Sequence, residues 1–166
     1  MNKTRKKIEY LTYSSLIAAL YVALSWIANA MGLASYAVQL RFSEALCALC
    51  YFTPAAAPGM FIGCLISNIS MSAQALDIVF GSLATLAGAY FGTKMKNKYL
   101  VPLPTVIANA VVVPFVVLFC YTSGVKSFGV YLTIAISVTI GEALSAYLLG
   151  MLLLLAIEKR HVFKKK

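Results

Sequence analysis

Four apolar runs, at about 10 to 31, 76 to 95, 100 to 121 and 128 to 157, each approach or exceed the roughly 20 residues that a helix needs to cross about 30 Å of hydrocarbon. A chain built mostly of such runs has one physical solution, an all-α bundle of helices solvated by lipid. Composition agrees, because 61% of the 166 residues are hydrophobic and 11% charged, against about 45 to 50% apolar and about 25% charged in soluble domains. These figures exclude intrinsic disorder. Apolar sequence also fills the space between the short tails, so a single membrane domain, 1–166, is expected.

The amino terminus has the basic start and apolar continuation of a secretory signal. Its apolar run, however, is about 22 residues long against about 7 to 15 for a signal core, and further apolar segments follow. It therefore reads as a retained first span.

The stretch from Phe42 to Ala73 is about 32 residues long and is broken by Pro54 and Pro58 around a run of alanines. Either one bent span or two short ones fits this pattern. Basic residues decide between them. Lys3, Arg5, Lys6 and Lys7 precede the first span, Lys94, Lys96 and Lys98 form one connector, and Lys159, Arg160 and Lys164 to Lys166 end the chain. Two short spans place twelve of the fourteen Lys and Arg residues on one side, leaving only Arg41 and Lys126 opposite; a single span splits them five to nine. The positive-inside rule selects the first arrangement. The expectation is six membrane segments, at about 10–31, 42–53, 55–73, 76–95, 100–121 and 128–157, with both termini cytosolic and an inward turn at Thr53-Pro54. Legs of about 12 to 16 residues cover only about 18 to 24 Å, less than the bilayer. Such short elements are tolerated where protein or water covers their free backbone groups, so a cavity is expected beside them.

The net charge of +9 does not point to nucleic acid, because the basic residues lie at the flanks of spans. Cys47, Cys50, Cys64 and Cys120 fall within apolar runs, and no second pair or nearby histidine completes a metal site around Cys47 and Cys50. They read as small buried hydrophobes. No cofactor or metal is called for. Neither a phosphate-binding loop, an H-E-x-x-H motif nor a histidine within the spans occurs, so concentrative transport needs an ion gradient or a partner, and enzymatic chemistry is not expected.

Among five acids, Glu9 and Glu158 are helix-end charges. Glu142 lies near the middle of its run, where an ionised carboxylate costs at least about 2.5 kcal/mol unless it is paired or hydrated. Arg41 and Glu44 stand three apart, and a local account is available: Ser43 caps the helix and Arg41 pairs with Glu44. Asp77 likewise opens a helix and reads either as a cap or as a binding group. Depth nevertheless collects Arg41, Glu44, Asn68 and Asp77 toward the outer face, with Asn109 and Glu142 deeper. Acids and amides around an outward-opening cavity suit a small cationic, hydrogen-bond-donating ligand. Carboxylates also read paired N–H groups such as the Watson–Crick edge of guanine. Trp26 either stacks on a planar ligand or anchors the first segment at the interface. Asn68-Ile69-Ser70 matches a glycosylation sequon at a helix end, where it is discounted.

Small residues recur at helical spacing: Ser15, Ala19 and Ala23; Ala84, Gly88 and Gly92; Gly141 and Ser145. Each set permits close helix approach, either inside this bundle or against another membrane subunit.

Three stretches carry a further likeness: Gln39-Leu40-Arg41-Phe42-Ser43-Glu44-Ala45-Leu46; Tyr51-Phe52-Thr53-Pro54-Ala55-Ala56-Ala57-Pro58-Gly59 with Phe61-Ile62-Gly63-Cys64-Leu65-Ile66-Ser67-Asn68; and Asp77-Ile78-Val79-Phe80-Gly81-Ser82-Leu83-Ala84-Thr85-Leu86. In these the chain resembles the QueT family of queuosine-precursor transporters, substrate-binding S components of energy-coupling factor (ECF) transporters. The resemblance implies a six-helix S-component fold in the bacterial plasma membrane. It implies capture of a 7-deazaguanine base, 7-aminomethyl-7-deazaguanine, for uptake driven by a T subunit and two cytosolic ATPases. It also assigns Ala19 and Ala23 to docking on the T subunit. With that ligand, Glu142 is expected to accept the paired N–H groups and Glu44 or Asp77 to meet the ammonium, with Asn68 and Asn109 completing the hydrogen bonds. An S component for another vitamin and an ion-coupled secondary transporter are the alternatives.

Overall fold

The computed structural model describes residues 3–33, 40–122 and 127–160. Gln39 of the quoted motif, Lys126 and the tail from His161 lie outside the described residues. Among the described residues there are six helices and no strand. We label them α1 (Lys3–Ala30), α2 (Phe42–Tyr51), α3 (Ala56–Ser70), α4 (Asp77–Gly92), α5 (Lys98–Cys120) and α6 (Phe128–Arg160). Three of these, α1, α5 and α6, are long and apolar enough to cross a membrane. The run at about 76 to 95 was expected to cross unaided, and its helix is shorter. α4 stops at Gly92, ahead of Lys94, and opens with a wide π-turn over Asp77–Gly81.

The stretch from Phe42 to Ala73 forms two helices. α2 is wound as a 3₁₀ helix and ends at Tyr51. The turn that follows is held by the Ala55 N–H donating to Thr53 Oγ1 at 3.2 Å, with Pro54 exposed. α3 then runs parallel to α1, because the two helices meet in step. Ser14 donates to the Ala55 carbonyl at 3.0 Å, Gly59 abuts Ser14 and Ile17, Gly63 abuts Ala18 and Tyr21, and Trp26 Nε1 donates to Ser70 at 3.2 Å. A Cβ on Gly63 would stand 2.5 Å from that of Tyr21, so this close approach requires glycine.

α4 and α5 are antiparallel, with Gly88 against the Thr105 backbone. α6 returns along α5, and Lys98 of α5 pairs with Glu158 of α6 at 2.8 Å. α2 is the central wedge. It packs against α1 on one side and α6 on the other, and every residue from Ser43 to Cys50 is buried. Small side chains at Ser43, Ala45, Cys47, Ala48 and Cys50 allow this. The fold therefore has a basic end, where Lys3 to Lys7, Lys94 to Lys98, Lys159 and Arg160 lie, and an opposite end marked by Arg41 and Asp77.

The surface and interior invert the arrangement of a soluble protein. Leu16, Ile107, Phe115, Ile136 and Leu152 point outward, each more than half exposed, whereas Glu44, Asn109 and Glu142 are at most 2% exposed.

Candidate functional site

Glu44 sits one turn into α2 and faces α1, where the Tyr21 hydroxyl donates to its Oε1. The local account of this segment does not hold. α2 begins without a side-chain cap from Ser43, and no ion pair joins Arg41 to Glu44. Arg41 precedes the helix in an extended conformation (φ −105°, ψ 92°), which takes its side chain out of helical register. Arg41 instead lines a hollow with Tyr21 and Asn68, and its Nη1 is buried without a hydrogen-bond partner.

Asn109 of α5 donates to Glu142 Oε1 of α6 at 3.0 Å, so the deep carboxylate has its partner within the chain. One turn from each, toward the basic end, stand the buried hydroxyls of Thr105 and Ser145. Ser82 and Thr85 present α4 to the same interior. Asn68 of α3 is buried and donates to the Asp77 carbonyl at 3.3 Å and toward Cys64 Sγ at 3.7 Å. Buried in this way, its amide is unsuited to glycosylation.

Asp77 is only half-buried and lies at the rim. It caps no helix: its Oδ2 accepts from the Tyr121 hydroxyl at 3.2 Å, and that hydroxyl accepts from the Gln74 N–H at 3.1 Å. Partial burial first, and the Asp77 carboxylate after it, raise the Tyr121 phenol above its usual pKa against the opposing Gln74 bond, so it remains a donor at neutral pH. Trp26 is exposed beside Ser70, at the edge of α1 and α3, where an interfacial anchor sits.

Among the described residues, seven buried side-chain atoms have no hydrogen-bond partner: Arg41 Nη1, Glu44 Oε2, Asn109 Oδ1, Glu142 Oε2, and the hydroxyls of Ser82, Thr105 and Ser145. Native interiors pair nearly all such groups, and each orphan costs about 1 to 3 kcal/mol, so seven on facing helices make this interior the candidate site. A hollow of about 60 Å³ is lined by Tyr21, Ser25, Leu40, Arg41, Ser67 and Asn68, and Arg41 is the member of that cluster on its wall. A larger groove of about 330 Å³ between Phe80, Val111, Phe115 and Tyr131 is almost wholly apolar. Its one hydroxyl, on Tyr131, is already bonded to the Val111 carbonyl, so this groove has nothing with which to recognise a polar solute.

Of the expected site residues, the structure buries Glu44, Asn68, Asn109 and Glu142 in one interior, brings Arg41 to them, and leaves Asp77 at the rim. Tyr21, Ser82, Thr85, Thr105 and Ser145 were not singled out for this site. Tyr21 was legible in part, since Ser14, Ile17, Ala18, Tyr21 and Ala28 form the inward stripe of α1. Cys64, read as a small hydrophobe, is buried but also accepts from Thr85 at 3.6 Å beside Asn68. The small-residue sets divide as well. Ala84, Gly88 and Gly92, and Gly141 with Ser145, are buried inside the bundle, whereas Ser15, Ala19 and Ala23 face outward.

An all-helical bundle with an apolar exterior, three helices long enough to cross a membrane and a polar, charge-bearing interior is the form of a membrane protein. The family model described as QueT transporter matches residues 11–159, and the chain belongs to that transporter family. No curated protein and no solved structure gave a match.

Proposed function

We propose that this chain is the substrate-capturing S component of an ECF-type importer, multi-pass in the bacterial plasma membrane, and that its chamber binds the queuosine precursor 7-aminomethyl-7-deazaguanine. The observation that carries this reading is the group of unpartnered buried atoms, above all the second oxygens of Glu44 and Glu142. A ligand with several N–H donors, a positive charge and one strong acceptor satisfies them; a hydrocarbon or an anion does not.

The basic end lies on the cytosolic side, in accord with the positive-inside rule, so the chamber mouth at Arg41, Asn68 and Asp77 faces outward. The 60 Å³ hollow is smaller than the few hundred Å³ of ordinary ligand pockets, so a bicyclic base enters only as the outer helix ends part. The outward face of Ser15, Ala19 and Ala23 on α1 docks on a T subunit, which two cytosolic ATPases drive.

Calorimetry of the purified protein with the base, followed by reconstitution, tests the reading. Saturable binding, no accumulation by the protein alone, and ATP-dependent uptake once the T subunit and ATPases are added are expected. Accumulation by the protein alone under an ion gradient would instead establish a secondary transporter.

A further inference from the structure

We infer that the outer part of α5, from Pro114 to Tyr121, is a hinged gate over the buried polar interior, and that the Tyr121 hydroxyl is its latch. What passes the gate rests on the function proposed above. The gate itself follows from packing.

The hinge is Pro114, which lies inside α5 and is buried. Because proline has no N–H, the carbonyl of Ala110, four residues earlier, loses its helical bond and the helix can bend there. Toward the basic end α5 is fixed. Gly88 abuts the Thr105 backbone, Asn109 donates to Glu142 at 3.0 Å, and the Tyr131 hydroxyl of α6 donates to the Val111 carbonyl at 3.1 Å. Beyond Pro114 the helix instead borders the apolar groove of about 330 Å³, which Phe115, Val116 and Phe119 line from α5 and Phe80 lines from α4. The groove leaves room on that flank for the outer segment to move.

The segment also covers the interior. Val113 and Val116 stand four and seven residues beyond Asn109, on the face that Asn109 turns inward, and both are buried. Since α5 runs from Lys98 at the basic end to Tyr121 at the rim, these two valines lie between the Asn109–Glu142 bond and the outside.

In lipid, apolar contacts between helices supply little net attraction, because hydrocarbon replaces whatever contact is lost. The polar contacts at the tip therefore carry the closure. The Tyr121 hydroxyl donates to Asp77 Oδ2 at 3.2 Å and accepts from the Gln74 N–H at 3.1 Å, tying the end of α5 to the start of α4. Asp77 is itself steadied by the Asn68 amide, which donates to its carbonyl at 3.3 Å. Tyr121 is exposed at the rim, where water can replace both of its bonds, so the latch opens at little cost. The other way in, by the hollow between α1 and α3, is tied by Trp26 Nε1 donating to Ser70 at 3.2 Å.

Two rates test the gate in the full-length protein. The first needs no ligand: modification of buried Cys64, which lies against Thr85 and Asn68, by a small water-soluble methanethiosulfonate, with the labelled cysteine located by peptide mass spectrometry. The second is association and dissociation of 7-aminomethyl-7-deazaguanine by stopped flow. Tyr121→Phe keeps the ring and removes both bonds. It is expected to speed Cys64 labelling about three- to tenfold and to raise both base rate constants by a similar factor, leaving Kd within about twofold. Pro114→Ala restores the Ala110 bond and should slow all three rates, whereas Trp26→Phe should leave them unchanged. Wild-type rates in Tyr121→Phe, a change confined to dissociation, or acceleration by Trp26→Phe instead would each overturn the gate. Latch-dependent labelling in a protein that fails to bind the base keeps the gate and overturns the ligand; latch-independent labelling with normal base binding does the reverse.

Discussion

Asn109 and Glu142, 33 residues apart in the chain, are joined in the interior by an amide-to-carboxylate bond of 3.0 Å that leaves one oxygen of each unpartnered. The bond orients the carboxylate and ties α5 to α6 in the buried interior. The pair is thus part of the framework and, on the function proposed, part of the site.

That dual role separates stability from binding. Asn109→Leu strands the Glu142 carboxylate and should lower stability by about 1 to 3 kcal/mol. The double change Asn109→Leu with Glu142→Met removes both partners and should recover most of that loss while abolishing base binding. Thermal melting in detergent, with and without the base, measures both effects.

Tyr21 holds Glu44 from α1. Tyr21→Phe keeps the ring and removes the donor, so the carboxylate loses a charge-assisted bond, with an expected cost of about 1.5 to 3 kcal/mol shared between stability and affinity. Melting together with calorimetry reports the division.

Asp77 is already engaged by Tyr121 at the rim and is only half-buried. Asp77→Asn should therefore change base affinity by about 1 kcal/mol or less, well below the effect of Glu44→Gln or Glu142→Gln. A loss matching theirs in the same titration would move Asp77 into the binding contacts.

The α1–α3 contact tolerates no added volume. Gly59→Ala would place a Cβ 2.7 Å from the Ser14 carbonyl oxygen, whereas one at Gly129 would meet nothing closer than Ser127 Oγ at 3.8 Å. Gly59→Ala should destabilise by about 1 to 3 kcal/mol, and Gly129→Ala should leave the melting temperature unchanged.

Ala19 and Ala23 are exposed and contribute nothing to the core. On the docking role proposed for this face, enlarging both to leucine should leave stability and base affinity intact while preventing co-purification with a T subunit and ATP-dependent uptake. Retained uptake would remove this face from the docking surface.

Much of the architecture is written in local chemistry. Apolar runs, two prolines and the positions of fourteen basic residues are enough to call for an all-helical bundle and for a break between Phe42 and Ala73, because hydrophobic length and backbone sterics act within single segments. The deep acid at Glu142 and the unusual cluster of Arg41, Glu44 and Asp77 were conspicuous for the same reason: charge in an apolar run is costly wherever the run packs. Tertiary structure decided what spacing leaves open. Three stripes of small residues look alike in sequence, yet two pack inside and that of Ser15, Ala19 and Ala23 faces out. Rotation of a helix about its axis is set by its neighbours, and α1 turns the Tyr21 face inward because Gly59 and Gly63 let α3 approach there. Only that packing converts Tyr21, Thr105 and Ser145 from ordinary helix residues into parts of one interior, and only the meeting of α5 with α6 gives Glu142 its partner.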